Sequence, residues 1–226
     1  MLALLDLDAF AFRCAASAEN EEEEIALARL DELVRTTLHE VECEEYKGWL
    51  TGSNNYRYSI YPEYKANRKD KPRPTHLQAC RTYLVEEWNA IVVEGKEADD
   101  ALAIDQHCSD TLMVGLDKDL LQVPGRHYNF VKKIFLDVTE TEGLRSFYKQ
   151  LLTGDSSDNV KGVDKIGPVK AGKLLDPVND EQQMFDIVRR LYNNDERLLM
   201  NGKLLWLQRV EGDVWNNSEI LFHGRD

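Results

Sequence analysis

The chain has 226 residues, 42% of them hydrophobic and 31% charged, with 28 basic residues against 41 acidic ones and a formal net charge of −13. That length sustains one well-filled core with at most a small second lobe, and that acidic balance excludes a general electrostatic grip on nucleic acid or an anionic membrane, so any nucleic-acid contact must be local. The scattered Cys14, Cys43, Cys80 and Cys108 form no C-x-x-C pair and suggest reduced thiols in a cytosolic setting, and no apolar run is long enough for a membrane span or carries the basic flank of a signal peptide.

Leu2 to Leu5 is a continuous apolar run, the pattern of a strand buried on both faces of a parallel sheet, and it ends at Asp6. If the strand continues, its period of two carries Asp6 and Asp8 to one side; otherwise Asp8 caps a helix over Ala9 to Ala18. Glu19 to Glu24 suits a solvated helix start, and Ala26, Leu30, Leu33, Val34, Leu38 and Val41 mark an amphipathic helix over Ile25 to Val41. A second strand, Trp49 to Thr51, ends at Gly52 and Ser53.

Beyond it the charge changes sign. Arg57, Lys65, Arg68, Lys69, Lys71 and Arg73 interleave with Tyr56, Tyr58, Tyr61 and Tyr64. Cations on phosphates with rings against bases suit a nucleic-acid strand, and the plainer alternative is an ordinary basic surface loop. Pro72 and Pro74 interrupt helix, which predicts a mobile loop or arch over about 62–76.

Leu77 to Trp88 is expected to be helical and Ile91 to Val93 a strand. The stretch E-A-D-D then sets Glu97, Asp99 and Asp100 at a helix start, where crowded like charges call for a divalent cation held through oxygen. Leu112 to Gly115 is a strand leading to Asp117 and Asp119, with another over Tyr128 to Val131. Strands alternating with helices imply an α/β fold with a mainly parallel sheet, whose site lies beyond the carboxyl ends of its strands. Asp6, Glu97 and Asp117 all fall there. Singly each acid suits a cap or the surface; three strand ends delivering acids to one edge point to a pocket.

After a helix over Thr141 to Leu152 comes G-D-S-S-D-N, with Asp155 and Asp158, and then glycines 162 and 167 among Lys161, Lys165, Lys170 and Lys173. This suggests helices joined by a tight hairpin whose N–H groups and lysines hold duplex phosphates without reading bases. Leu204 to Val210 suits an edge strand or a short helix equally.

Six motifs in this order, L-L-D-L-D, E-Y-K-A-N-R, E-A-D-D, L-D-K-D, G-D-S-S-D-N and G-V-D-K-I-G-P, resemble the 5′-nucleases, a family that includes flap endonucleases, the 5′→3′ exonuclease domain of bacterial DNA polymerase I and the phage 5′→3′ exonucleases. The resemblance covers nearly the whole chain and is closest in length to a stand-alone bacteriophage exonuclease. It implies a PIN-like core with an arch over residues 1–150, and a helix-three-turn-helix DNA-binding region with a C-terminal segment over 151–226.

It further implies Asp6, Glu97, Asp99 and Asp100 as ligands or near neighbours of a first Mg²⁺, and Asp117, Asp119 and Asp158 of a second, with Asp155 close by and Mn²⁺ able to substitute. Tyr64, Lys65 and Arg68 match the base of the arch, where the family stacks the nucleotide at the cut and steers its phosphate. Carbonyls around Val160, Val163 and Ile166 resemble a potassium site. Where most relatives end the second strand with an aspartate, this chain has Gly52, and Asp8 or a water is expected to replace it. The implied protein is a monomer of a bacterial cytoplasm that cuts DNA bearing a free 5′ end, a flap or a branch during phage replication, alongside a polymerase. A PIN-type ribonuclease and a non-cutting binder of branched DNA are the alternatives.

Overall fold

A computed structural model of the chain describes residues 1–69, 71–108 and 110–216. At its centre is a six-stranded sheet of β1 (Leu2–Asp6), β2 (Glu45–Thr51), β3 (Ile91–Val93), β4 (Thr111–Val114), β5 (Gly125–Asn129) and β6 (Ile134–Val138), in the order β3-β2-β1-β4-β5-β6. The first five run parallel and β6 returns antiparallel to β5. The chain therefore moves outward from β1 to β3 and comes back to β4 on the other side of β1. That reversal leaves a crevice at the carboxyl ends of β1 and β4.

The apolar run of β1 is explained by cover on both faces. Ala3 and Leu5 join Leu50, Leu112 and Val114 in a core under α1 (Leu7–Ser17), α2 (Glu23–Glu40) and α4 (Leu77–Trp88). Leu4 and Met113 face the other way, onto Leu102 and Ala103 of α5 (Ala98–Cys108) and Leu207. A third apolar cluster joins Tyr64 to α6 (Glu140–Thr153), α7 (Pro168–Leu175), α8 (Glu181–Tyr192) and α9 (Asp195–Leu205).

The expected helices and strands stand within a few residues of their places, with three differences. The strand expected over Tyr128 to Val131 is the end of a hairpin: Asn129 Oδ1 accepts from the N–H groups of Val131 and Lys132, turning the chain without glycine. Leu204 and Leu205 close α9, and Trp206 to Asn216 is neither helix nor strand. The short helix α3 (Arg57–Ile60) and the helices α8 and α9 were not anticipated.

Of the two forms expected for about 62–76, the described residues take the loop. Among the described residues of 62–76 the only helix is the 3-10 turn Ala66–Arg68, and Asp70 lies outside the described residues. The segment is tied down at its start: Lys65 N–H donates to the Asp158 carbonyl at 3.0 Å, and Asn159 donates to the Glu63 carbonyl at 2.8 Å.

Between α6 and α7 the chain makes a small ladder of β7 (Gly154–Asp155) and β8 (Val160–Lys161). Gly154 has φ +70°, and a side chain there would begin 2.3 Å from the Gly162 nitrogen, so the crossing requires glycine. Among the described residues no helix is long and apolar enough to cross a membrane.

Candidate active site

The carboxyl ends of the strands collect the acids. Asp6 ends β1 and caps α1 by accepting the Ala9 N–H at 3.2 Å. Asp117, past β4, caps the 3-10 turn Lys118–Gln122 through the Asp119 N–H at 2.9 Å. The two ends lie side by side, since a side chain at Gly115 would begin 3.4 Å from Asp6 Cβ. Glu97 and Asp99 enter from the start of α5 after β3.

Their proximity is written in their proton affinities. Burial, then repulsion from Asp6, Asp117 and Glu97, pushes Asp99 well above the usual carboxylate range. Burial, then Asp8 and Asp117, raises Asp6 to about 7; burial, then Asp117 and Asp155, raises Asp119 to about 7. Glu97, Asp99, Asp6, Asp117, Asp119 and Asp155 thus form a continuous acidic line. Asp155 differs: burial would raise it, but N–H groups of Ser157 and Asp158, at 2.6 and 3.2 Å, hold it low.

One wall of the line is cationic. Lys65, backbone left-handed at φ +56°, donates to Glu97 and lies 3.8 Å from Asp158, whose other oxygen takes Arg68 at 2.5 Å. Burial would lower the Lys65 pKa, but Glu97 and Asp158 hold it above the ordinary value. Burial also raises Asp158, against the pull of Lys65, Tyr64 and Arg68. Sequence reasoning passed over Lys118, 4.0 Å from Asp155 at the opposite end, although it lies inside L-D-K-D.

Four expectations need correction. Arg57 is not a DNA contact: its side chain is 1% exposed and it grips Asp100 with two hydrogen bonds of 2.5 and 2.8 Å. Asp100 is consequently not a free ligand. Its two oxygens accept Arg57 twice, the Glu97 N–H at 3.1 Å and the Gln208 N–H at 3.2 Å, which fills the roughly four lone-pair sites of a carboxylate. Tyr64 is not a stacking platform: the residue is 1% exposed, and its hydroxyl stands 2.7 Å from Asp158 and 3.2 Å from Glu97. Asp8 is neither the cap of α1 nor turned freely into the pocket; it pairs with Arg81 of α4 and accepts the Thr51 N–H at 2.8 Å. Arg81 carries no motif, so nothing in the sequence marked it.

At Gly52 a side chain would begin 2.3 Å from Glu94 Oε1 and 2.5 Å from the Val93 carbonyl oxygen. Glu94 is fixed there by the N–H groups of Ser53 and Asn54, at 3.3 and 3.1 Å. The space that an aspartate side chain at this position would need is therefore already taken by another carboxylate.

Away from this edge, Lys69, Lys71, Arg73, Lys161, Lys165, Lys170 and Lys173 are exposed. Gly167, Pro168, Val169, Lys170 and Lys173 line an open groove at the start of α7. Gly162 is half-buried. Val160 and Ile166 are buried, and the Val163 carbonyl accepts the Ile166 N–H at 3.2 Å.

Among the described residues no three His, Cys, Asp or Glu side chains already stand grouped around a metal position. Four carboxylates of this edge are instead turned to protein cations: Glu97 to Lys65, Asp158 to Arg68, Asp8 to Arg81 and Asp100 to Arg57. The remaining donors fit a hard divalent cation in chemistry. They are all carboxylate oxygens, and Asp6 and Asp99 carry raised proton affinity that a cation would relieve.

No family model matches the chain. It is 29% identical over 165 residues to the 5′-3′ exonuclease of Buchnera aphidicola subsp. Schizaphis graminum, covering 66% of this chain and 55% of that one. To the flap endonuclease Xni of Shewanella baltica it is 28% identical over 171 residues, covering 69% and 65%. To DNA polymerase I of Rhizobium leguminosarum it is 34% identical over 154 residues, covering 59% and 15%. The chain thus spans about half to two thirds of the stand-alone relatives.

Its fold is that of the T5 5′-exonuclease with bound zinc, at TM-score 0.66 and 17% identity over 90% of this chain and 88% of that one. The flap endonuclease of Methanococcus jannaschii follows at TM-score 0.55 and 12% identity over 95% and 80%. The mainly parallel, helix-flanked sheet is the PIN-like fold of these enzymes. The chain is thus similar in sequence to curated 5′-nucleases and shares the fold of solved ones.

Proposed function

We propose that the chain is a metal-dependent 5′→3′ exodeoxyribonuclease with structure-specific flap endonuclease activity, acting as a monomer in phage DNA replication beside a polymerase. The observation that carries this reading is the convergence of Asp6, Asp99 and Asp117 from three strand ends into mutual repulsion, beside Lys65 and Arg68. In this reading Asp6, Asp99, Asp117 and Glu97 would hold one Mg²⁺, and Asp117, Asp119, Asp155 and Asp158 a second, with Mn²⁺ substituting. When bound, such a pair supplies a hydroxide at neutral pH and neutralises charge on the attacking and leaving oxygens.

The chain's own residues do the rest. Lys65 and Arg68, already at the acidic edge, would exchange Glu97 and Asp158 for the scissile phosphate and stabilise the charge that grows on it. Tyr64 would fix the spacing of Glu97 and Asp158 through its hydroxyl. Lys69, Lys71 and Arg73 would guide the 5′ strand, while Lys161, Lys165, Lys170 and Lys173, with N–H groups near Gly162 and Gly167, would hold the duplex. Carbonyls of Val160, Val163 and Ile166 would take K⁺ against a duplex phosphate. Residues 1–150 would then serve as the catalytic core and 151–226 as the duplex-binding region.

The discriminating experiment is a labelled 5′-flap DNA incubated with Mg²⁺ or EDTA, beside the same flap in RNA. Cleavage of DNA in Mg²⁺ only is expected. Preferential cleavage of the RNA supports a PIN-type ribonuclease. Binding without cleavage supports the branched-DNA binder, a reading that Glu94 in the place of the family's aspartate makes specific.

A further inference from the structure

Arg57 and Asp100 are the most enclosed ion pair of the acidic edge, with side chains 1% and 0% exposed. Beyond gripping Asp100, Arg57 donates Nε–H to the Leu204 carbonyl and an Nη2–H to the Trp206 carbonyl, each at 2.8 Å. Its Nη1 also lies 4.0 Å from Glu97 Oε2. Asp100, three residues after Glu97, reaches back to the Glu97 N–H, as the third helical residue does in a reciprocal cap, and forward to the Gln208 N–H. One guanidinium–carboxylate pair therefore closes three separate pieces of chain: α3, the first turn of α5, and residues 204–208.

We propose that Arg57 is a positioning residue that fixes the first turn of α5, and with it Glu97 and Asp99, by clamping that turn to the 204–208 segment. Burial would weaken the Arg57 charge, and Asp100 more than restores it, so the clamp stays ionised. Glu97 and Asp99 leave the same helical turn that Asp100 anchors. A loosened anchor would let them splay under their own repulsion, and cation affinity would fall before chemistry does. The segment from Leu204 to Gln208 thereby becomes part of the site without contributing a side chain to the acidic line. This role rests on the nuclease reading only for its consequence on cleavage; the clamp and its effect on cation binding are measurable without DNA.

The test compares wild type, Arg57→Lys and the double variant Arg57→Met with Asp100→Leu. Lysine keeps the charge but cannot make the paired contacts to Asp100 or reach both carbonyls. The double variant removes the buried charges together, which commonly leaves a fold intact. Mn²⁺ affinity is measured by electron paramagnetic resonance, and amide hydrogen exchange by mass spectrometry without metal.

Both variants are expected to bind Mn²⁺ about 10–100-fold more weakly, the usual loss when a group behind a ligand is removed. Exchange should accelerate at 97–101 and 204–208 together while the β1 and β4 amides keep their protection. Cleavage at saturating metal should stay near wild type, so that the half-saturating concentration moves and kcat does not. Unchanged Mn²⁺ affinity in a folded variant, or faster exchange in only one of the two segments, overturns the proposal. A wild-type chain that binds Mn²⁺ yet cuts no flap overturns the nuclease reading instead and leaves the clamp to be judged by affinity and exchange.

Discussion

Lys65 donates to Glu97 while lying 3.8 Å from Asp158, so one ammonium ties the start of α5 to the turn between β7 and β8. The same group is the obvious partner for a phosphate entering the acidic edge, which makes its two roles separable. Lys65→Ala should lower single-turnover cleavage of a 5′-flap by about 10²–10³-fold, the scale seen when one charge-stabilising donor is removed. Flap binding in Ca²⁺ should fall far less. Equal losses of binding and cleavage would reduce Lys65 to an ordinary phosphate contact.

Burial, then repulsion from the neighbouring acids, holds the Asp99 pKa well above the usual range. Its ionised form is therefore a burden on the folded chain. Asp99→Asn should nearly abolish cleavage in Mg²⁺ and yet raise Tm in EDTA, by a few degrees where ~1 kcal/mol moves Tm by about 2–4 °C. Asp117→Asn should likewise abolish cleavage. A drop in Tm for Asp99→Asn, or retained cleavage in either, contradicts the assignment.

What the sequence made legible here follows from how each feature is encoded. The apolar run of β1 and the acids at the ends of β1 and β4 are local patterns, and a parallel sheet forces them to one edge. Arg57 shows the limit. Its neighbours suggested a solvent-facing basic patch, but its partners Asp100, Leu204 and Trp206 are as far as 149 residues away in sequence, so no local pattern announces its burial. Tyr64 misled for the same reason: its hydroxyl's two carboxylates come from Glu97 and Asp158. The hairpin turn at Asn129 left no such mark, because residues 129–133 hold no glycine or proline and the Asn129 side chain makes the turn.

His127 is 5% exposed, with Nε2 2.8 Å from the Val123 carbonyl, and burial, only partly offset by that bond, lowers its pKa from the ordinary 6.5. As pH falls below ~6.5 the unfolded chain takes up the proton first. The stability gained by keeping His127 neutral is thus fully present above that pH and is lost below it. Asp6 and Asp119, raised to about 7, push the opposite way, so the comparison must be between variants. The unfolding free energy from urea titration at pH 7.5 minus that at pH 5.5, taken with its sign, should be lower for His127→Gln than for wild type. Equal differences would mean that His127 protonates freely in the fold.

Gly52 offers a last test, because the obstacle to a side chain there is named. Gly52→Asp would begin 2.3 Å from Glu94 Oε1, which can move, and 2.5 Å from the Val93 carbonyl oxygen, which belongs to the strand. The single variant should lose ~1–3 kcal/mol, the usual cost of overpacking. Adding Glu94→Ala should recover only part of it, since the backbone contact persists and the bonds from Ser53 and Asn54 to Glu94 are gone. Urea titration of the two variants against wild type measures both steps. Full recovery in the double variant would show that Glu94 alone excludes the aspartate, and a single variant as stable as wild type would show that β2 and β3 separate there at no cost.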